Sequence, residues 1–270
     1  MLQAKELFDA GRLSEAIAQL TQEVRAHPTD THRRIFLVEL LCFAGDFQRA
    51  ARQLDAVGHQ DASLVVGVQV FRNVLAAEEA RRQLFSEGRH PRFLFEPPPY
   101  AALHLEAINR LRAGQPAEAR VLLEESERAR LPVRGQLDGK PSGDFRDADD
   151  LLAPFLEVIV GAHYVWLPFA QMQHLSIPPP RQLRDLLWTS ATITSHHGPV
   201  EAVLLPVLYP GSSTHTDERV RLGRMTDWQS LGAGLVRGVG QRLFLAGSED
   251  KAMLEVRDIA FEVEADGAQA

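Results

Sequence analysis

The sequence predicts an α+β protein: N-terminal helical repeats followed by a small, mostly antiparallel β-rich domain. Three observations predict this. Gly11 and Gly45 lie 34 residues apart, and each is followed by the same spacing of small and large apolar residues. After Gly161 the hydrophobic period changes from that of a helix to the alternation of a strand. Between these regions, residues 132–150 are rich in Gly, Pro and Asp. The expected division is therefore a helical domain over 1–131, a linker over 132–150 and an α+β domain over 151–270.

The first half reads as helix pairs. Gly11, Leu13, Ala16, Leu20 and Val24 set a pattern that Gly45, Phe47, Ala50, Leu54 and Val57 repeat, and that Gly114, Pro116, Ala119 and Leu123 repeat again. A small Ala lets the second helix of a pair approach the first, and Gly makes the turn between them. This period and these offsets resemble the tetratricopeptide repeat (TPR), in which stacked helix pairs bury a shared core. The most apolar stretch, over 34–46, includes Ile35, Phe36, Leu37, Val38, Leu40, Leu41, Cys42 and Phe43. A helix apolar on several faces is expected between neighbours. The unit between the second and last pairs is degenerate: a helix over 64–84 lacks the Gly and Ala markers. Pro97, Pro98 and Pro99 then force an extended segment before a helix at 100–112.

In the second half, Asp147 or Asp149 is expected to cap a short helix over 151–160. Strands are expected at 163–168, 186–194, 200–207, around Val220 and Leu222, at 242–246, at Leu254 and Val256, and through Ile259, Phe261 and Val263. Turns are expected at His197-Gly198, Pro210-Gly211 and Gly247-Ser248. Residues 232–240, GAGLVRGVG, read as a loop, and 266–270 as a frayed tail. Trp166 and Trp188 are assigned to the core of this domain.

Composition narrows the function classes. The net charge of −7 lies mostly in the second half, and neither half has the basic excess of a nucleic-acid binder. No apolar run approaches the roughly 20 residues of a membrane span. The first residues carry Lys5, Glu6 and Asp9 without a continuous apolar stretch, so no leader is read and a cytoplasmic location is expected. One cysteine, Cys42, excludes an internal disulfide and reads as a packed hydrophobe.

Catalytic and metal patterns are weak. His196-His197 reads as an exposed turn, and no HExxH pattern joins these to His163 or His174. The run Asp147-Ala148-Asp149-Asp150 lacks the glycine and terminal glutamate of a calcium loop. The glycines of 232–240 are followed by no Lys-Ser/Thr. No cofactor is expected. A binding role fits better, since stacked helix pairs form a concave face that accepts a peptide or amphipathic helix. The repeat register points His32, Ile35, Glu39 and Phe43 of the second unit toward such a face, while Ile35 and Phe43 fit the core at least as well. His104, Ile108 and Arg112 of the last unit point to that face too, and Arg72 is a candidate contact in the degenerate unit.

Longer blocks carry a family resemblance. LVELLCFAGDFQRAARQLD at 37–55, DADDLLAPFLEVIVGAHYVWLPF at 147–169, IPPPRQLRDLLWTSATI at 177–193, LPVLYPGS, LGRMTDW and GQRLFLAG resemble the ImpE family, also called TagJ. The sequence departs from the family pattern only in a serine-rich insertion at 212–216. The resemblance implies a non-enzymatic accessory protein of a type VI secretion system. It implies binding to an N-terminal helix of the small, TssB-type sheath subunit, and a link to sheath recycling by the AAA+ ATPase ClpV. No catalytic residues follow from it. Two other readings are a general TPR scaffold for another cytosolic partner and a hydrolase using His196 or His197.

Overall fold

A computed structural model gives the structure of the protein and describes residues 2–262. Seven helices come first: α1 (Leu2–Asp9), α2 (Leu13–Ala26), α3 (Thr31–Phe43), α4 (Phe47–Gln60), α5 (Val65–Glu87), α6 (Tyr100–Arg112) and α7 (Pro116–Ala129). The helix pairs marked by glycine are present. Gly11, Gly45 and Gly114 occupy the turns α1–α2, α3–α4 and α6–α7, all at φ between +69 and +80, where a side chain would be strained. Asp30 and Asp46 start α3 and α4 by accepting the backbone N–H groups of Arg33 and Arg49. Leu37, Val38 and the run from Leu40 to Phe43 are buried, as expected of a central helix. The degenerate unit is one long helix, α5, closed by Gly88 in the left-handed conformation.

The rest is built on strands: β1 (Gly135–Leu137), β2 (Lys140–Ser142), β3 (Phe145–Asp147), β4 (Phe155–Val160), β5 (His163–Pro168), β6 (Met172–Ser176), β7 (Trp188–Ser195), β8 (Gly198–Pro206), β9 (Thr226–Gly232), β10 (Leu235–Gly240), β11 (Leu243–Ala246), β12 (Glu249–Ala252) and β13 (Asp258–Phe261). Eight of them form an antiparallel sheet in the order β2-β1-β13-β6-β7-β8-β4-β5. A three-stranded sheet, β12-β11-β3, and the hairpin β9–β10 complete it. Phe145, Phe155, Trp166, Phe169, Phe244 and Phe261 fill the core with edge-to-face, tilted and stacked ring contacts. Trp166 and Trp188 are buried, as assigned.

Several local expectations are corrected. The 132–150 segment is no bare linker, because β1 pairs with β13 and β3 pairs with β11. Residues 151–160 are a turn followed by β4 rather than a helix. Five of the six β4 residues are buried, and a short all-apolar run fits a central strand as well as a buried helix. Asp147 and Asp149 still cap backbone N–H groups, those of Asp149 and Leu151, but in a turn (2.8 Å each). Val220 lies in a one-turn helix, α8 (Glu218–Arg221), and Leu254 in a 3-10 turn. Residues 232–240 are mainly strand. β9 and β10 meet at Ala233-Gly234, both at positive φ, the geometry of a tight hairpin turn. The alternation at Val263 and the tail at 266–270 lie outside the described residues.

The extended segment after α5 has a structural job. The Arg92 N–H donates to the Tyr164 carbonyl (3.1 Å), and the Trp166 N–H donates to the Arg92 carbonyl (2.9 Å). These bonds cover the outer edge of β5, which otherwise presents unpaired backbone groups. α6 then packs on β4, with Tyr100 and His104 against the Phe155 ring.

Candidate partner-binding groove

Helix α5 organises the candidate site, and its two ends live in different surroundings. Its C-terminal half buries one face, with Ala77, Glu78, Arg81 and Leu84, and that face carries charge. Arg81 donates to both carboxylate oxygens of Glu157 on β4 (2.9 and 2.6 Å) and to the Leu208 carbonyl (2.7 Å). Glu157 also accepts from Arg242 and from the Tyr164 hydroxyl, and Trp166 Nε1 donates to that hydroxyl (2.6 Å). Arg242 reaches Asp147 as well, whose carboxylate accepts from the Tyr209 hydroxyl (2.8 Å). Burial alone would raise the Glu157 carboxyl, but Arg81 and then Arg242 outweigh it and hold it at about 2. Every charge in this network has an opposite partner, the condition under which buried ions are tolerated.

The N-terminal half of α5 lacks such cover. Val66 is 76% exposed and Val70 53% exposed. Gly67, Val70, Phe71 and Val74 fall at i, i+3, i+4 and i+7, so they share one helix face. Opposite that face runs the connection from β6 to β7, with Pro178, Pro179 and a 3-10 turn, Leu183–Leu186. Trp188 and Leu204 form the floor, and the groove between these walls measures about 570 Å3. Phe71 meets Trp188 edge to face, with ring centroids 5.7 Å apart. The Trp188 indole N–H donates to Glu78 (2.7 Å), and Glu78 pairs with Arg81 (3.4 Å). The groove floor is thus tied to the buried network one helical turn away.

Gly67 is unusual in this wall. A Cβ built there meets nothing within 4 Å, and its backbone is helical without positive φ. Neither strain nor internal packing calls for glycine. Gly67→Ala is expected to raise stability by up to about 1 kcal/mol in a denaturant titration, the usual gain from alanine in a helix.

The sequence-predicted contacts scatter. Phe43, His104 and Ile108 are buried and belong to the core, so they are corrected from surface to packing residues. His104 Nδ1–H donates to the Leu151 carbonyl (3.0 Å), and burial lowers its pKa to about 4, which keeps the ring neutral. Ile35 is half-buried against the core. His32 and Arg112 are exposed, and Arg112 donates to the Ser86 carbonyl (3.1 Å). Arg72 is exposed on α5 but pairs with Asp55 (3.1 Å). Glu39 alone lies toward the groove, within electrostatic reach of Arg184 and Asp185. No sequence signal marked Val70, Pro178 or Trp188 as one site, because they converge only in the folded chain.

Glu39 has a pH consequence. Burial, with a smaller push from Asp185, raises its carboxyl to about 7 against the pull of Arg184. The folded state therefore holds this proton more tightly than the unfolded chain. Stability is lost as pH rises from about 4.5 to about 7, then stays level, a cost of about 2–3 kcal/mol. Glu39→Gln is expected to flatten that slope in unfolding free energies measured from pH 5 to pH 8.

Other chemistry is thin. His196 and His197 are exposed in the β7–β8 turn, and His174 pairs with Asp258 (2.7 Å). Among the described residues no group of three or more His, Cys, Asp or Glu side chains is placed to hold a metal ion. Burial raises the Cys42 thiol pKa well above its usual range. No helix among the described residues is long and apolar enough to cross a membrane. A second depression, about 450 Å3, lies beside Val133, Met172 and His196, but its rim ends at Glu262, where the described chain ends.

The model of the ImpE protein family matches residues 139–260. The type VI secretion system accessory component TagJ of Pseudomonas aeruginosa is 38% identical over 259 residues, covering 96% of this chain and 91% of that protein. The chain belongs to the ImpE/TagJ family. A crystal structure of a Vibrio parahaemolyticus protein superposes with a TM-score of 0.89 at 23% identity, over 96% of this chain and 97% of the other, and so shares the fold. Membership of the ImpE/TagJ family supports an accessory role in type VI secretion. The family match begins inside the 132–150 segment, which agrees with the pairing of β1 and β3 into the sheets.

Proposed function

We propose that the protein is a non-enzymatic adaptor of a type VI secretion system that seats an N-terminal helix of the small, TssB-type sheath subunit in the α5 groove. Seating that helix alters how the sheath is assembled or presented to the ATPase ClpV, and the reading places the protein in the cytoplasm. The observation that carries it is the apolar face of α5 opposite Pro178 and Pro179, open at Gly67 and Val70 while Phe71 and Val74 pack inward. Helix-in-groove recognition needs such a wall, with anchors at i, i+3, i+4 and i+7. The stretch of α5 that flanks the groove runs from Gly67 to Val74, roughly 12 Å of helix, which suits about two turns of a partner. The rigid floor at Trp188 lowers the ordering cost of binding.

The test is a titration of a sheath-subunit N-terminal peptide into the full chain, read by fluorescence anisotropy. Saturable binding with a Kd on the order of tens of micromolar or tighter is expected. No binding on the order of a millimolar peptide contradicts the reading.

A further inference from the structure

The groove has a charged lip as well as an apolar wall. Arg181 and Arg184 are exposed where the β6–β7 connection borders the groove, and among the described residues neither guanidinium makes a close ion pair, although Glu39 lies within electrostatic reach of Arg184. Asp185 directly follows Arg184 in sequence but pairs with neither guanidinium. Its carboxylate accepts the backbone N–H groups of Arg181 (2.8 Å) and Gln182 (3.0 Å), closing the 3-10 turn. That turn fixes where the two arginines start, so the cationic lip is part of the fold. On the other wall, the open space over Gly67 gives a partner's backbone room to come close.

From this pairing of features we infer that the groove selects an amphipathic helix by a carboxylate flank: acidic side chains meet Arg181 and Arg184, apolar side chains cover Val70, Phe71 and Trp188, and a small residue passes over Gly67. The inference rests on the groove being a helix site and adds the chemistry that decides which helices enter. An apolar wall alone accepts many amphipathic helices. Two guanidiniums on one lip accept carboxylates and oppose lysines, which sets both specificity and orientation. The protein's overall negative charge repels an acidic helix elsewhere on the surface, so the lip also marks where it lands.

The probes are two designed helical peptides with one apolar stripe in common, flanked on one side by Glu in the first and Lys in the second. Each is titrated into the full chain. The Glu-flanked peptide is expected to bind at least about tenfold more tightly at low salt, with the gap narrowing as salt rises. Arg181→Glu combined with Arg184→Glu is expected to reverse the preference, and Gly67→Phe to weaken both peptides. These positions are exposed or face open space, so circular dichroism checks that the variants stay folded. Equal binding of the two peptides overturns the inference, as does binding of neither, or a preference that survives the arginine reversal. The sheath peptide reports separately. If it binds while the designed pair shows no charge preference, only the lip falls. If the pair behaves as expected and the sheath peptide does not bind, the groove chemistry stands and the sheath reading falls.

Discussion

Replacing Arg242 by methionine is expected to destabilise the protein by about 3–5 kcal/mol. Arg242 is fully buried and serves two fully buried carboxylates, Asp147 and Glu157. Methionine fills much of the volume, so the loss is electrostatic. Glu157 keeps Arg81 and Tyr164, whereas Asp147 keeps only hydrogen bonds from Tyr209 and its own turn. A buried charge without its counterion costs several kcal/mol. The sign with pH follows. Burial already raises the Asp147 carboxyl, with Arg242 the largest opposing influence. Without Arg242 it rises further, the folded state prefers the protonated form, and stability falls as pH rises through that pKa. Urea unfolding at pH 5 and pH 8 is expected to show the larger loss at pH 8. A loss below about 1 kcal/mol at both values contradicts a charge network that holds the fold.

The second large effect is expected at Arg81, again as Arg81→Met. This side chain joins the helical half to the sheet: it sits on α5, yet its partners are Glu157 on β4 and the Leu208 carbonyl. A loss of about 3 kcal/mol is expected from the unpaired Glu78 and the weakened Glu157. Its distinctive mark is cooperativity. With the tie removed, helices and sheet are expected to unfold in two calorimetric transitions where the wild type shows one. A single transition with an unchanged midpoint contradicts this role.

The sequence announces its helices more clearly than its sheets, for physical reasons. Gly11, Gly45 and Gly114 adopt the same left-handed turn, so a local need recurs at a fixed period and can be read locally. The strands at 163–168, 200–207 and 242–246 also show in their apolar pattern and stops. The 132–150 segment misleads because composition speaks of loops while its pairing is long-range: Gly135 lies so close to the Ala260 carbonyl that a Cβ would collide with it. Likewise β4 looks like a helix because both faces are covered, one by α6 residues such as His104. The groove was least legible. Val66 and Val70 look like core residues in any local reading, and their exposure depends on where Pro178 and Trp188 arrive. Phe43, His104 and Ile108 show the reverse, since a repeat register places them on a face that packing then covers.

The central claim is that the exposed face of α5 seats the partner helix, and one comparison tests it most directly. The sheath-subunit peptide is titrated against the wild type and against Val70→Asp. Val70 is half exposed, so the change costs little stability, and circular dichroism with a thermal melt confirms the fold. Burying an aspartate where the partner needs an apolar anchor is expected to remove about 2 kcal/mol of binding, roughly thirtyfold in Kd. An unchanged Kd on a folded Val70→Asp protein contradicts the account.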